Sequence, residues 1–228
     1  LDQLARDVSA PMKGVPGLTL GHVQAAETQG RDYLVDTDGM RLVQEEGYAA
    51  VLARAEVLRA DGTLLSDERT WVARSAADLP PVALLSAETR RLGEDLAARA
   101  HAAPVPWYEG PVVFEGEAAA DVFVSLLPEQ LRGTPPDPSG DREYQAALQG
   151  GPRLGRRVLP PGWTVHDDPR NVPEGMPGGY RYDQEGVEAQ RVDLVADGRV
   201  RDLAMSRVPR DEATSNGHGR GGIQGEMS

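Results

Sequence analysis

Three Asp-Gly dipeptides set between strand-like runs constrain this chain more than any other feature. They stand in "YLVDTDGMRLVQEE" (33–46), "VLRADGTLLS" (57–66) and "VEAQRVDLVADGRVRDLAMSRVP" (187–209). Asp-Gly tolerates the positive φ angles of tight hairpin turns, so each predicts two antiparallel strands joined locally. Between the first two, Val51, Ala53, Ala55 and Val57 alternate with Leu52, Arg54, Glu56 and Leu58, the period of a strand. With "TLLSDERTWVARS" as a further strand, the first third reads as a meander of about four. "DTDG" (36–39) opens like a calcium loop, but position 47, where that loop needs glutamate, is Gly. It is a hairpin turn.

Two amphipathic helices interrupt the β pattern. In "LLSAETRRLGEDLAARAHA" Leu85, Leu92, Leu96 and Ala100 form one stripe, with Glu88, Arg91, Glu94 and Arg99 elsewhere. The proline-rich "APVPWYEGP" (103–111) is the best internal boundary. It leads into "GPVVFEGEAAADVFVSLLPEQLRG" (110–133), read as a short buried strand and a helix with Val122, Phe123, Leu126 and Leu127 as its apolar face. "GTPPDPSGDRE" (133–143) has the composition of an exposed loop. "GWTVHDDP" reads as a strand ending in a turn, the third hairpin follows, and the tail "TSNGHGRGGIQGEMS" has too few apolar residues to pack unaided. The expected class is α+β: β-rich hairpins and meander, two amphipathic helices, and a C-terminal antiparallel β domain. The expected division is a middle α+β domain over 1–105 and a partial C-terminal β-rich domain over 106–228.

Charge and composition exclude several functions. With 24 Lys+Arg against 36 Asp+Glu, the net charge of -12 disfavours nucleic-acid backbones and anionic membrane surfaces alike. The absence of cysteine rules out disulfides, thiol nucleophiles and thiolate metal sites. No run of about 18 apolar residues and no signal-like N-terminus occur, so a cytoplasmic protein is expected. A start without Met and a glycine-rich end suggest a fragment of something longer.

No residue pattern declares an active site, so none is assigned as catalytic or metal-binding. Glu115, Glu117 and Asp121 would suit acid–base work, yet carboxylates in a first helical turn are explained by its positive end. The histidines are His22, His101, His166 and His218, and no two lie three to five residues apart, as a helical zinc pair requires. His101 closes a helix. His166 is flanked by Asp167 and Asp168, which is turn chemistry as much as ligand chemistry. No nucleophile elbow surrounds Ser125 or Ser215, and "GRGG" and "GGPRLG" lack phosphate-loop spacing.

The ordered segments "GPVVFEGEAAADVFVSLL", "LGRRVLPPGWTVHDDP", "YRYDQEGVEAQRVDLVADGRV" and "SNGHGR" resemble the TldD/PmbA family, known as modulators of DNA gyrase and as peptidase family U62. The matching motifs are Asp167-Asp168-Pro169, Asp183-Gln184-Glu185-Gly186 and Ser215-Asn216-Gly217, and "YLVDTDGMRLVQEE" resembles the family's middle region. The likeness covers most of residues 30–220. It implies two kinds of chain. Zinc-bearing members carry His-Glu-x-x-x-His on the helix after the "VVF" strand, with a later cysteine, and are cytoplasmic metallopeptidases acting on unfolded or short peptides. The others lack the motif and pair with the first kind as heterodimers. Here the motif would fall near Val124-Ser125-Leu126-Leu127-Pro128-Glu129, which supplies no histidine. The resemblance is to the PmbA-like side, and it implies that an amino-terminal α/β domain and the end of the C-terminal domain are missing.

The leading expectation is therefore a non-catalytic subunit, with no cofactor of its own, that shapes a peptide-processing chamber beside a zinc-bearing TldD-like partner. Candidate residues for lining or shaping it are His166, Asp167, Asp168, Asp183, Glu185, Asn216 and His218. Turn formation accounts for the same residues equally well. Two alternatives stay open: an active hydrolase with a non-standard metal or carboxylate site around His166, Asp167 and Asp168, and a purely structural interaction module.

Overall fold

The alternation at residues 51–58 belongs to one very long strand. The structure, a computed structural model, describes residues 1–105, 107–133, 154–207 and 215–219. In it β1 (Leu20–Val35), β2 (Arg41–Leu58) and β3 (Leu64–Ala73) form a sheet in the order β1-β2-β3. The expected four-strand meander is thus three strands, because residues 41–46 and 51–58 run on through Gly47 without a break. Helix α1 (Asp2–Ser9), ahead of a 3-10 turn over Ala10–Gly14, and the start of β1 add elements beyond those expected.

Both turns of this sheet are built by the anticipated dipeptides. Asp36 Oδ1 accepts the N–H groups of Asp38 (3.0 Å) and Met40 (2.9 Å), and Gly39 takes φ 89°. Asp61 Oδ1 accepts from Thr63 N–H at 2.9 Å, beside Gly62 at φ 85°. The Thr63 backbone N–H, then its hydroxyl, hold the exposed Asp61 carboxyl below its ordinary 3.8, with a lesser contribution from Arg59.

Helix α2 (Val82–Ala100) covers the sheet as its stripe predicts. Leu85, Leu92 and Leu96 are buried against Val51, Ala53, Ala55 and Val57, with Val8 and Met12 completing the layer. Ala53 and Ala55 are small enough to let a helix approach a sheet closely. Gly93 lets α2 close on the segment ahead of β1, since a Cβ there would stand 3.0 Å from Leu18 Cδ1 and 3.4 Å from Val15. On β3 the inward positions opposite Ala53 and Ala55 are Arg69 and Asp67, which pair with Glu88 (3.0 Å) and Arg99 of α2. These ion pairs are partly exposed and of modest worth. The apolar layer carries the energy.

The chain forms two compact units, each discontinuous in sequence. The first comprises Leu1–Asp32, Glu45–Gly110 and Pro173–Pro177, the last held by Arg74 N–H donating to Gly175 O at 2.7 Å. The second comprises Tyr33–Gln44, Pro111–Val172 and Gly178–Ser228, so the β1–β2 hairpin tip is counted with it.

The second unit holds a sheet in the order β4-β5-β6, antiparallel throughout: β4 (Val165–Asp167), β5 (Val192–Ala196) and β6 (Arg199–Val200). Its turn is the third Asp-Gly, with Asp197 at φ 48° and Gly198 at φ 73°, the two positive values of a type I′ hairpin. A Cβ on Gly198 would meet Leu159 O at 2.2 Å. Helix α3 (Glu117–Leu126) and the one-turn α4 (Pro128–Leu131) lie beside this sheet, and Leu127 and Leu131 pack with Val192, Leu194, Val195, Val200, Leu203 and Met205. Phe123 joins them and meets Trp163 at a ring separation of 5.5 Å.

Three local expectations are corrected. "VVF" (112–114) is neither a strand nor buried: the residues are exposed and outside any ladder among the described residues. Leu126 is exposed, because the core-facing positions are Phe123 and Leu127, one turn apart. Residues 215–219 are not loose but buried or half-buried. The loop over 134–143, Pro106 of the connector, and the tail at 214 and 220–228 lie outside the described residues.

Leu85, fully buried, and Val35, 70% exposed, give a contrast in stability. Leu85→Ala should cost about 2–5 kcal/mol in urea unfolding, and Val35→Ala within about 0.5 kcal/mol. Asp61, whose folded pKa is depressed, contributes stability present above its unfolded pKa and lost as pH falls through the folded one. An NMR titration of its carboxyl carbon should place its midpoint below that of an unstructured peptide.

Candidate functional site

In the second unit the anticipated residues gather around the short segment 215–219. Asp183, 2% exposed, sits at the start of the Asp-Gln-Glu-Gly turn. Its Oδ1 accepts the N–H groups of Glu185 (3.0 Å) and Val187 (2.8 Å), which closes the turn locally. Its Oδ2 accepts Gly219 N–H at 2.8 Å, which ties that turn to a residue far along the chain. Gln184 N–H returns to Gly219 O at 3.1 Å. Next to it, a Glu185 carboxylate oxygen accepts Arg207 N–H at 2.6 Å. Three buried or half-buried backbone donors thus converge on Asp183 alone, and a carboxylate is the side chain with enough acceptor capacity to take them.

Asn216 organises the other side of the segment. Its Nδ2 donates to Leu203 O (2.8 Å) while Oδ1 accepts Met205 N–H (2.9 Å), so two backbone partners fix which way the amide points. That orientation settles the tautomer of His218, which is fully buried. Its Nδ1 faces two acceptors, Asn216 O at 3.1 Å and Oδ1 at 3.0 Å, and therefore carries the proton. Its Nε2 is buried without a hydrogen-bond partner, 3.8 Å from Asp167 Oδ2. Asp167 is 5% exposed on β4, whereas His166 beside it is exposed, as alternation along a strand requires. Asp168 follows, half-buried, its carbonyl accepting Asn171 N–H at 3.0 Å and its Oδ1 buried without a hydrogen-bond partner.

Asp167, Asp183, Glu185, Asn216 and His218 are therefore linked through segment 215–219. His166 is turned away from Asp167. The linked residues hold backbone groups, and three of them are too buried to touch a bound peptide. Among the described residues no group of three or more His, Cys, Asp or Glu is placed to hold a metal ion.

Several contributors were not legible in advance. The Gln44 side chain exchanges two hydrogen bonds with the Tyr182 backbone, Nε2 to O at 3.1 Å and N–H to Oε1 at 3.3 Å, so it acts as an extra peptide group. Asp36 of the hairpin turn lies 3.7 Å from Arg207. Gly186 is favoured by its φ of 77°, and Gly217 is required because a Cβ there would stand 2.4 Å from the backbone Glu188 O. The glycines were the available signal; nothing in the sequence names what they approach.

Comparison with known families matches residues 109–228, more than half of the chain, to the PmbA/TldA metallopeptidase C-terminal domain. No curated protein sequence matches. Similar solved structures include a protein described as a modulator of a DNA gyrase from Thermotoga maritima, at a TM-score of 0.69 and 18% identity over 98% of this chain and 50% of that one. A second described modulator of DNA gyrase, from Bacteroides thetaiotaomicron, gives 0.59 and 12% over 95% and 47%. TldE from Thermococcus kodakarensis gives 0.61 and 15% over 100% and 49%. These likenesses speak for the fold, and this chain spans about half the length of each of those proteins. Among the described residues no helix is long and apolar enough to cross a membrane.

Asp183→Ala leaves three backbone donors without their acceptor and should lower stability by about 3 kcal/mol or more. Asp183→Asn keeps one oxygen for Glu185 and Val187 and turns an NH2 toward Gly219, so it should cost less. Denaturant titration of both variants checks the order.

Proposed function

The chain belongs to the PmbA/TldD metallopeptidase family, and on that premise we propose that it is a non-catalytic member that shapes a peptide-processing chamber beside a zinc-bearing relative. The observation that carries this reading is the identity of the residues on and after α3. Where the family resemblance sets the zinc motif, the residues are Val124, Ser125, Leu126, Leu127, Pro128 and Glu129, one carboxylate and no histidine. Zinc hydrolases use about three side-chain donors of the His, Cys or carboxylate kind, leaving one position for water. Leu127 is instead committed to the core. The residues present do not fit zinc at this place, and no step of hydrolysis is assigned to them.

What remains is a scaffold role, and its parts are consistent with one. Asp183, Glu185, Asn216 and His218 fix the turns and the segment 215–219 from within, with Asp167 buried beside His218, so they shape a surface rather than line it. Strand β4 forms one edge of its sheet, with His166 exposed on it, and a sheet edge takes an extended peptide through backbone hydrogen bonds whatever its side chains. Such a surface suits unfolded or short peptides of broad sequence. The acidic balance argues against nucleic acid as the bound polymer. The proposed setting is the cytoplasm.

Elemental analysis of the purified chain, before and after chelation, tests the reading together with a peptidase assay. Far less than one zinc per chain is expected, with no peptide cleavage by the chain alone and cleavage on addition of a zinc-bearing family member that co-elutes with it. About one chelator-removable zinc per chain, accompanied by cleavage that chelation abolishes, overturns it.

A further inference from the structure

Helix α3 sets Glu117, Asp121 and Ser125 along one side and apolar residues elsewhere, yet it has no fully buried residue. Its ten residues include Ala118, Ala119, Ala120, Val122, Phe123, Val124 and Leu126. The apolar face of such a helix is normally covered. Here the core takes Phe123, while Val124 is 66% exposed and Leu126 59%. Just ahead of the helix, Val112, Val113 and Phe114 are 60%, 82% and 54% exposed. A lone exposed valine needs no explanation, but five large apolar side chains between residues 112 and 126 mark a surface that something covers.

The charges beside these residues select the cover. Glu115, Glu117 and Asp121 are exposed, and no Lys, Arg or His occurs from 111 to 131. A second copy seated here about a two-fold axis would set these carboxylates against themselves, on chains that each carry -12. Nucleic acid and anionic lipid meet the same repulsion. Exposed apolar residues interspersed with carboxylates are instead complementary to apolar residues flanked by cations. We infer that the surface from Val112 to Leu126 docks a polypeptide segment in which apolar residues alternate with arginine or lysine. The inference rests on the peptide-handling reading above and narrows it to a chemical class.

The test measures fluorescence anisotropy of short labelled peptides with the full chain. Leucine alternates with arginine in one, with serine in a second and with glutamate in a third. The arginine peptide should bind about tenfold or more tighter than the serine one, and weaken as salt rises. Val113→Ser with Val124→Ser should weaken it about tenfold. Glu115→Gln, Glu117→Gln and Asp121→Asn together should flatten the salt dependence, while Glu94→Gln on α2 should not. Circular dichroism confirms that the variants fold. Equal, Val113-dependent binding of all three peptides overturns the chemical class and leaves peptide handling standing; binding of none overturns both. Arginine-peptide binding indifferent to the valine substitutions reports attraction to an acidic chain and overturns the site. So does a dimer that those substitutions dissociate, which makes a second copy the occupant.

Discussion

A buried backbone N–H must find an acceptor, and in the second unit that requirement is met by side chains to an unusual degree. Asp183 takes Glu185, Val187 and Gly219, and Asn216 answers both a donor and an acceptor on the 203–205 stretch. The sheet of this unit is small, with strands of three, five and two residues. Such a sheet cannot satisfy the loops around it through ladders alone. The polar cluster does so, and the apolar core of Leu127, Leu131, Leu194, Val195 and Val200 is thereby closed on one side. Each polar member is worth little by itself; leaving its partners unmet is what costs.

The first unit solves its packing the other way, with long regular elements and a nearly dry interface. Alanines on β2 bring helix and sheet close, and Arg69 and Asp67 of β3 pair with Glu88 and Arg99 of the helix. The division of labour suits the functional reading. One unit is regular and apolar inside. The other carries its irregular loops on internal hydrogen bonds and leaves an apolar stretch uncovered on its surface.

Legibility followed the range of the interactions. The three Asp-Gly turns, the α2 stripe and the end of β4 depend on neighbours within a few residues, and they lie where the pattern predicts. Whether 41–58 is one strand or two depends on a partner strand, which periodicity cannot supply. Val112–Phe114 has strand composition but no strand beside it, and composition cannot provide one. Segment 215–219 contains almost nothing apolar, so hydropathy reads it as tail; it is buried because Asp183 accepts its Gly219 N–H, and Met205 donates to the Asn216 side chain and accepts the Asn216 and His218 N–H groups. The candidate residues were found as motif positions. Their roles as backbone anchors, and the part played by Gln44, became visible only with the chain folded.

The pinned Asn216 also bears on how the protein ages. Asn-Gly is the dipeptide most prone to spontaneous deamidation, because the glycine nitrogen can swing onto the asparagine carbonyl and close a cyclic imide. Here the side-chain amide is clasped by Leu203 and Met205, and the Gly217 N–H is turned to the Ser215 hydroxyl at 3.3 Å. Ring closure needs both to let go at once. The same contacts that seat His218 therefore slow imide formation at this dipeptide, which proceeds only when the short segment opens.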